Sequence, residues 1–470
     1  MSAERSTSGP ELLLTLDRSA ATPLRVQVET QLRDAVRTGR LGAGERVPSS
    51  RALASYLGLS RGVIQECYAQ LQAEGYLISR GGSVTRVASV SVGTQTPPTK
   101  SEPRPAPRLV ADFESGVPDL GLVPRQDWVW AVREACRVAP NSALHYGDPR
   151  GDLTLREVLS AYLRRVRAVD AHADQVVVCA GFQQGLGIAL QTLARRGVTR
   201  VACEDPGSIG LLTAAAATVG SETVPVPVDD LGIDVAALAA TDARVVILTP
   251  AHQWPTGVVL AAERRHQLVA WAREHDAYII EDDYDAEFRY DREPVGSIQG
   301  LAPDRVIALG TVSKSLAPAL RLGWAVVPNE LLDDVTNAKR IADRCTSVID
   351  QLALATLIES GRFDRHLRRM RAEYSERRDT LVEALATHAP HVRVTGLAAG
   401  FHAVAHLPDD ADEQDIVDRA LALGVRIFGM ARYTSTGDGP PRLVLGFGNT
   451  STRAIRSGIA TIAELLNETP

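Results

Sequence analysis

Short apolar runs alternate with helical patterns along the chain from about residue 111 onward. The clearest runs cover 176–179, 201–203, 245–248, 278–280 and 306–309. Apolar runs of this length, separated by longer stretches with helical periodicity, predict buried strands that alternate with helices. Strands that are apolar on both faces are typical of a mostly parallel sheet covered by helices on either side. The pattern therefore predicts an α/β body.

The N-terminal part of the chain has a different pattern. A helical stripe of apolar residues spans 24–37. A second helix is predicted over 51–57, after Ser49 as a good N-cap, and a third begins at Ser60. Two helices joined by a short turn form a helix-turn-helix. The segment 78–87 alternates around two adjacent glycines, which predicts a two-stranded wing.

Length and proline content divide the chain. At 470 residues it is too long for one core, so two or more domains are expected. The segment 89–110 is rich in proline and polar residues, which favours an extended linker. We expect a winged helix-turn-helix domain over 18–88, the linker over 89–110, and the α/β body over 111–470.

Charge and composition narrow the class of protein. The net charge is -6, but residues 21–88 carry nine Arg against five Asp or Glu, which gives +4 there and -10 elsewhere. A basic head on an acidic body is typical of a nucleic-acid-binding domain. Residues 1–20 lack a basic start followed by an apolar stretch, and no apolar run reaches membrane-spanning length, so a cytoplasmic protein is expected. The five cysteines form no Cys-x-x-Cys pair, which predicts reduced core residues and no metal site.

The predicted helix starts carry the first candidate DNA-binding residues, Arg51, Ser60 and Arg61. A helix N-terminus offers free N–H groups to phosphate, and an arginine can donate two hydrogen bonds to guanine. Gln65, one turn past Arg61, is a candidate for adenine, and Gly82 belongs to the turn of the wing. Alternatively, these arginines are solvated surface residues. The caps, the turn and the wing together favour DNA contact.

The body matches the chemical needs of pyridoxal 5'-phosphate (PLP). This cofactor needs a lysine for a Schiff base, an acid at the pyridine nitrogen, a donor to the ring hydroxyl and an anion cradle. Lys314 follows the strand predicted over 306–309, and the chain has only two other lysines. Asp282 and Tyr284 end the strand that begins at 278, where they can reach the nitrogen and the hydroxyl.

A phosphate group also finds candidates. They are the guanidinium of Arg321, the hydroxyls of Thr311 and Ser313, and the backbone N–H groups of Gly181, Phe182 and Gln183 at a predicted helix start. Each match alone has an ordinary alternative, such as a surface lysine, a solvated loop or a simple turn. Their common place at the ends of predicted parallel strands, where ligands bind in open α/β sheets, favours a cofactor site.

The same residues carry a resemblance to known families. The head is similar to the winged helix-turn-helix of GntR regulators, and the body resembles a fold-type I aminotransferase. The whole chain, over about 24–88 and 111–465, resembles the MocR/GabR family of PLP-dependent transcriptional regulators. The motifs that carry this resemblance are Tyr146-Gly-Asp-Pro-Arg-Gly151, Glu204-Asp-Pro-Gly207, Thr249-Pro-Ala-His-Gln-Trp-Pro-Thr-Gly257, Glu281-Asp-Asp-Tyr-Asp285 and Thr311-Val-Ser-Lys-Ser-Leu-Ala-Pro-Ala-Leu-Arg-Leu-Gly-Trp324.

The resemblance implies a role for each matching residue. Lys314 would hold the cofactor aldehyde, Asp282 the pyridinium, Tyr284 the ring hydroxyl and Arg321 the phosphate. Tyr146 would reach the phosphate of a neighbouring subunit, which implies a homodimer with shared sites. The resemblance also implies a head-to-tail arrangement of the two chains and binding to double-stranded operator DNA. The implied fold is a large, mostly parallel sheet with a small C-terminal α+β subdomain.

Other positions depart from the family pattern. Ser208 stands where an aromatic residue usually stacks on the PLP ring, and either Trp254 or Phe182 can take that place. Val444 stands where aminotransferases carry the arginine that binds the substrate carboxylate. Three residues are candidates for contacting an effector instead: Arg442, Arg432 and Gln253.

Two functions therefore compete, with a weaker third. The first is a PLP-binding transcriptional regulator that senses PLP itself, an amine or an amino acid, with at most a half-reaction of transamination. The second is a working aminotransferase with an accessory DNA-binding head. The third is a degenerate site that binds no PLP, in a body that serves only to dimerise.

Overall fold

The computed structural model describes residues 14–79, 84–89, 109–290 and 295–467. The chain forms two compact units, Met1–Pro105 and Ala106–Pro470, which we call the head and the body. Most of the predicted linker, and Gly82 of the predicted wing, lie outside the described residues. Within the described ranges, no helix is long and apolar enough to cross a lipid bilayer.

The head contains three helices and a small antiparallel sheet. Ser49 accepts a hydrogen bond from the N–H of Ala52 (3.2 Å), and Ser60 accepts one from the N–H of Val63 (3.3 Å), so both predicted N-caps form. The predicted helix-turn-helix and wing strands are confirmed. The elements are α1 (Leu24–Arg37), α2 (Ser50–Leu57), α3 (Arg61–Ala73), β1 (Leu77–Ile78) and β2 (Arg86–Val87).

One apolar core holds the head together. Each helix contributes the face on which its apolar residues recur at helical spacing. Leu77 of β1 pairs with Val87 of β2, and both side chains are buried in the same core. Its other members include Val28, Leu32, Leu53, Ile64 and Leu71.

The body has twelve helices and fourteen strands among its described residues. The helices are α4 (Arg125–Val138), α5 (Leu153–Arg167), α6 (Phe182–Arg195), α7 (Ile209–Ala217), α8 (Val235–Ala239), α9 (Ala262–Glu274), α10 (Asn329–Ala342), α11 (Val348–Glu359), α12 (Arg362–His388), α13 (Glu413–Ala422), α14 (Thr452–Thr461) and α15 (Ala463–Asn467). The strands are β3 (Ala111–Asp112), β4 (Val176–Cys179), β5 (Arg200–Asp205), β6 (Glu222–Asp229), β7 (Gly232–Ile233), β8 (Val245–Leu248), β9 (Tyr278–Asp283), β10 (Val306–Thr311), β11 (Gly323–Val326), β12 (Arg393–Thr395), β13 (His402–His406), β14 (Val425–Arg426), β15 (Phe428–Gly429) and β16 (Arg442–Gly446).

An eight-stranded sheet forms the centre of the body, in the order β4-β11-β10-β9-β8-β5-β6-β7. The pairs from β10 through β6 are parallel, whereas β11 is antiparallel to both of its neighbours. All five apolar runs predicted as strands lie in this sheet, so the predicted α/β class is confirmed. Successive β4 side chains enter different apolar clusters, with Val176 and Val178 on one face and Val177 and Cys179 on the other. Both faces of the sheet are therefore covered.

A smaller antiparallel sheet, in the order β12-β13-β16-β15, lies in the C-terminal part of the body. With α12–α15 it forms the α+β subdomain that the resemblance implies. The predicted core position of the cysteines is confirmed for Cys67, Cys179 and Cys203 but is wrong for Cys136, which is exposed. The buried stripe of α4 runs through Ala131 and Ala135, so residue 136 falls outside it.

Candidate cofactor cavity and DNA-binding face

A cavity of about 420 Å³ opens at the carboxyl ends of the central parallel strands. Glu204 of β5, Leu248 of β8, Asp282 of β9 and Thr311 of β10 all line it. The starts of α6 and α7 complete its wall. This edge of an open α/β sheet is the one at which ligands bind.

Lys314 lies in the loop after β10 and lines this cavity. Its Nζ donates a hydrogen bond to the carbonyl oxygen of Gly116. Burial lowers the pKa of the amine, while the nearby Asp282 carboxylate acts in the opposite direction. A lowered pKa leaves more of the amine unprotonated and able to attack an aldehyde. Lys339, by contrast, is fully buried away from the cavity and bonded to Asp343 (2.5 Å).

Asp282, the residue before the end of β9, lines the cavity. Its Oδ1 is buried and has no hydrogen-bond partner in the protein. Burial and then the neighbouring Asp283 carboxylate raise the pKa of Asp282 well above its usual range, while Lys314 opposes them. A buried carboxylate without a cation partner is costly, and a ligand that offers a protonated ring nitrogen would relieve that cost. The site therefore fits a pyridine.

Tyr284 lines the cavity and contacts a buried acid–histidine pair. Its hydroxyl donates to the carbonyl oxygen of His252 (3.0 Å) and lies 3.2 Å from His252 Nδ1. That Nδ1 lies 2.8 Å from Asp285 Oδ2. Burial, followed by the Asp285 carboxylate, raises the pKa of Tyr284 well above its usual range, so the phenol keeps its proton and can act as a donor.

The same pair belongs to a buried group of possible metal ligands, with His402 as its third member. The ligand atoms of the three residues lie within 4.8 Å of one another. Gly400 packs so closely on the group that a Cβ there would overlap His252 and Asp285. Hydrogen bonds join Asp285, His252 and Tyr284, whereas His402 Nε2 lies 3.1 Å from the carbonyl oxygen of Pro255 and the buried His252 Nε2 has no hydrogen-bond partner.

The opposite end of the cavity has the form of an anion cradle. Gly181 is the N-cap of α6, and Phe182 and Gln183 of its first turn line the cavity. Arg321 lines it too and donates from Nη2 to the carbonyl oxygen of Ala180 (2.7 Å). A Cβ at Gly181 would lie 2.8 Å from Arg321 Nη2, so only glycine leaves this space open. A helix N-terminus beside a guanidinium suits a phosphate group.

The two predicted hydroxyls differ in freedom. Thr311 Oγ1 donates to the carbonyl oxygen of Leu322 (3.1 Å) and accepts from the N–H of Ser313 (3.1 Å). The two hydroxyl oxygens lie 2.8 Å apart. Because the one proton of Thr311 goes to Leu322, Ser313 is the donor in the 2.8 Å contact, and its hydroxyl would have to turn away from Thr311 to reach an anion.

Four predicted residues lie away from this cavity. Tyr146 is 61% exposed, and the guanidinium of Arg344 lies 4.7 Å from the centre of its ring. Gln253 is buried, donates to the carbonyl oxygen of Pro206 (2.9 Å), and has no free edge toward a ligand. The other two residues are Arg432, which lies 5.2 Å over the ring of Phe428, and Arg442, which lines a separate cavity of about 220 Å³.

Sequence reasoning missed several residues of the wall. Glu204 is fully buried in the cavity wall, and its Oε2 accepts hydrogen bonds from the N–H (2.9 Å) and hydroxyl (2.7 Å) of Thr249. Burial raises the pKa of Glu204 to about 7. Its place at the end of an apolar run was a usable signal. Gly116 and Leu211 carried no such signal, because only the fold brings them to the cavity.

Ser208 and Trp254, which the sequence analysis considered at the ring-stacking position, both line the cavity.

Four candidate DNA-binding residues of the head lie at or near the starts of α2 and α3. Arg51 lies in the first turn of α2, and Arg61 begins α3 directly after its cap Ser60. All three are exposed, as is Gln65 one turn further along α3. The buried residues of α3 begin at Ile64 and include none of these four, which leaves their side chains free to contact a DNA groove.

Two family models match the chain. The model of bacterial regulatory proteins of the gntR family matches residues 24–87, and the model of aminotransferase class I and II matches residues 110–435. The two matches cover the head core and most of the body.

Similar proteins span nearly the whole chain. It is 32% identical to the HTH-type pyridoxine biosynthesis transcriptional regulator PdxR of Corynebacterium glutamicum, over 97% of this chain and 99% of the relative. It is also 32% identical to the probable rhizopine catabolism regulatory protein MocR of Rhizobium meliloti, over 96% of this chain and 95% of the relative. Among solved structures, a kynurenine aminotransferase of Pyrococcus horikoshii in complex with PMP matches with a TM-score of 0.69 and 28% identity, over 77% of this chain and 91% of its own.

Proposed function

We propose that this chain, which belongs to the MocR-type family of transcriptional regulators with a GntR head and an aminotransferase class I and II body, changes its DNA affinity when a ligand binds in the body. The body has the fold of PLP-dependent aminotransferases, and PLP is its cofactor. The observation that carries the proposal is the meeting of Lys314, Asp282, Tyr284 and Arg321 in one cavity. A ligand can shift the head only by binding unequally to two states of the protein.

Five side chains of the cavity would hold PLP. Lys314 would hold the aldehyde carbon, and Asp282 would balance the charge of the pyridine nitrogen. Tyr284 keeps its proton and would donate it to the ring oxygen by turning its hydroxyl away from the His252 carbonyl oxygen. Arg321 and Ser313 bind the phosphate together with the backbone N–H groups of α6, which Gly181 leaves accessible. When bound, PLP supplies an electron sink for amine chemistry.

Tyr146 supports a dimer with shared sites. Its ring is exposed and lies outside the cavity of its own chain. Leu144 (62% exposed) and Ile341 (65% exposed) are apolar surface residues close to it or to Arg344 in sequence. We propose that a second copy covers them and receives Tyr146 at its phosphate, while the two heads bind the half-sites of an operator in the cytoplasm.

The ligand that reports to the head is PLP itself or an amine that binds beside it. The name of the PdxR relative, a pyridoxine biosynthesis regulator, supports PLP as the sensed ligand. The test is a titration of full-length protein onto the DNA upstream of its own gene, with and without PLP, for wild type and Lys314→Ala. We expect PLP to change the affinity of the wild type by tenfold or more and that of the variant much less. Equal responses would refute Lys314 as the sensing residue.

A working aminotransferase is the second candidate, because the body is similar to solved aminotransferases and has an intact lysine, aspartate and tyrosine. Steady turnover with any amino donor and 2-oxo acid would establish it. Conversion of bound PLP to the amine form in a single round, without turnover, would fit the regulator.

A further inference from the structure

Bound PLP would leave one charged group of the cavity without a partner on the cofactor. Among the described residues that line it, the cations are Lys314 and Arg321, and the acids are Asp282 and Glu204. Lys314, Arg321 and Asp282 each have a partner in PLP: the aldehyde, the phosphate and the ring nitrogen. Glu204 is left over. The remaining space is therefore neutral or acidic, which favours a cation over an anion as a second ligand.

The surroundings of Lys314 Nζ point the same way. A Cβ on Gly116 would lie 3.8 Å from Nζ and 3.7 Å from the Trp254 ring, so Lys314 Nζ and the indole ring both lie next to Gly116. Gly116 has φ +78°, a conformation that favours glycine, and its carbonyl oxygen accepts from Nζ. A carbonyl oxygen and an indole ring attract an ammonium group and offer nothing to a carboxylate.

Within the part of the chain that the structure describes, the two candidate arginines for a carboxylate lie away from this cavity. Arg442 lines the separate 220 Å³ cavity with Glu413, and Arg432 covers Phe428. Val444 is fully buried against Val404 and Met430. The cavity wall around Ser208 is apolar instead, with Leu211 and Leu212 beside it.

We propose that the second ligand of this cavity is a primary amine with an apolar or aromatic body and no carboxylate. Its ammonium group would bind near Gly116 and Trp254, and its apolar part would lie against Leu211 and Leu212. A carboxylate would lose its hydration without gaining a cation, which is costly. This inference rests on the proposed function, because it takes PLP to be bound at Lys314.

The test compares three ligands that differ in one group: 2-phenylethylamine, phenylalaninamide and phenylalanine. Each is titrated into full-length, PLP-loaded protein while the PLP absorbance band is recorded, and into free PLP as a control for intrinsic reactivity. We expect the amine and the amide to bind at least tenfold more tightly than phenylalanine. Equal or tighter binding of phenylalanine, or binding of none of the three, would overturn the inference.

A second experiment tests charge as the cause. Leu211 is 40% exposed in the cavity wall, so a polar side chain there leaves the core intact. Leu211→Arg should reduce the preference for the amine over phenylalanine by tenfold or more, and Leu211→Gln should not. An unchanged preference in Leu211→Arg would contradict the electrostatic argument. Loss of the PLP band in the wild type would instead refute the proposed function, so the two failures are distinguishable.

Discussion

Gly181→Ala should separate cofactor affinity from fold stability. Gly181 has φ +81° and ψ 177°, a region that is essentially restricted to glycine, and an alanine there costs about 1–3 kcal/mol of folding free energy. The new methyl group would also lie 2.8 Å from Arg321 Nη2. Arg321 must move to avoid it, which breaks the 2.7 Å bond to Ala180 and takes the guanidinium away from the phosphate. A lost charge-assisted hydrogen bond is worth about 1.5–3 kcal/mol, or roughly ten- to hundredfold in the Kd of PLP.

The assay is a PLP titration by absorbance, beside thermal unfolding of the same sample without PLP. Gly187→Ala is the matched control, because it lies in the same helix and a Cβ there meets nothing within 4 Å. We expect the control to keep the Kd of PLP and to gain up to about 1 kcal/mol of stability from helix propensity. An unchanged Kd in Gly181→Ala would show that this turn does not hold the phosphate.

Three further predictions concern the lysine, the head and the cavity acid. Lys314→Ala should abolish the PLP band without rescue by Lys339, which is fully buried; a retained band would identify another lysine. Arg61→Ala should weaken operator binding by about 1–3 kcal/mol in a titration where the body variant Arg195→Ala does not; equal affinities would refute the recognition-helix assignment. Burial raises the pKa of Glu204 to about 7, so the folded state keeps this proton longer than the unfolded state. The folding free energy therefore weakens by about 3 kcal/mol as pH rises from roughly 4.5 to 7. Glu204→Gln should be more stable than wild type at about pH 8 but not at about pH 5. A difference in Tm that does not change with pH would contradict the raised pKa of Glu204.

The fold could be read from the sequence where local signals were strong. The strands at 176–179 and 245–248 have the predicted bounds, because apolar runs of four residues between longer helical patterns are typical of strands buried on both faces. The caps Ser49 and Ser60 were predictable, because the capping hydrogen bond lies within three residues of each. The same holds for Lys314, since its loop directly follows a strand end.

Contacts between distant segments could not be read in this way. The bond between Lys314 and Gly116 joins residues 198 positions apart. Gln253 was a reasonable effector candidate by its type, but its amide is used by Pro206 and Thr256, which only the folded loop reveals. Arg442 lies on the C-terminal strand β16, but it lines the separate 220 Å³ cavity.

The two walls of the cavity tolerate mutation to different degrees. At the end proposed to hold the phosphate, a methyl group on Gly181 would overlap the Arg321 guanidinium and force it to move. At the start of α7, Leu211 is partly exposed, and a Cβ on Gly210 would meet nothing within 4 Å. Substitutions on α7 can therefore alter the shape and charge of the cavity wall without changing the residues proposed to bind the cofactor. Related proteins could acquire new effectors through substitutions in this one helix, without changing either the surroundings of Lys314 or the DNA-binding head.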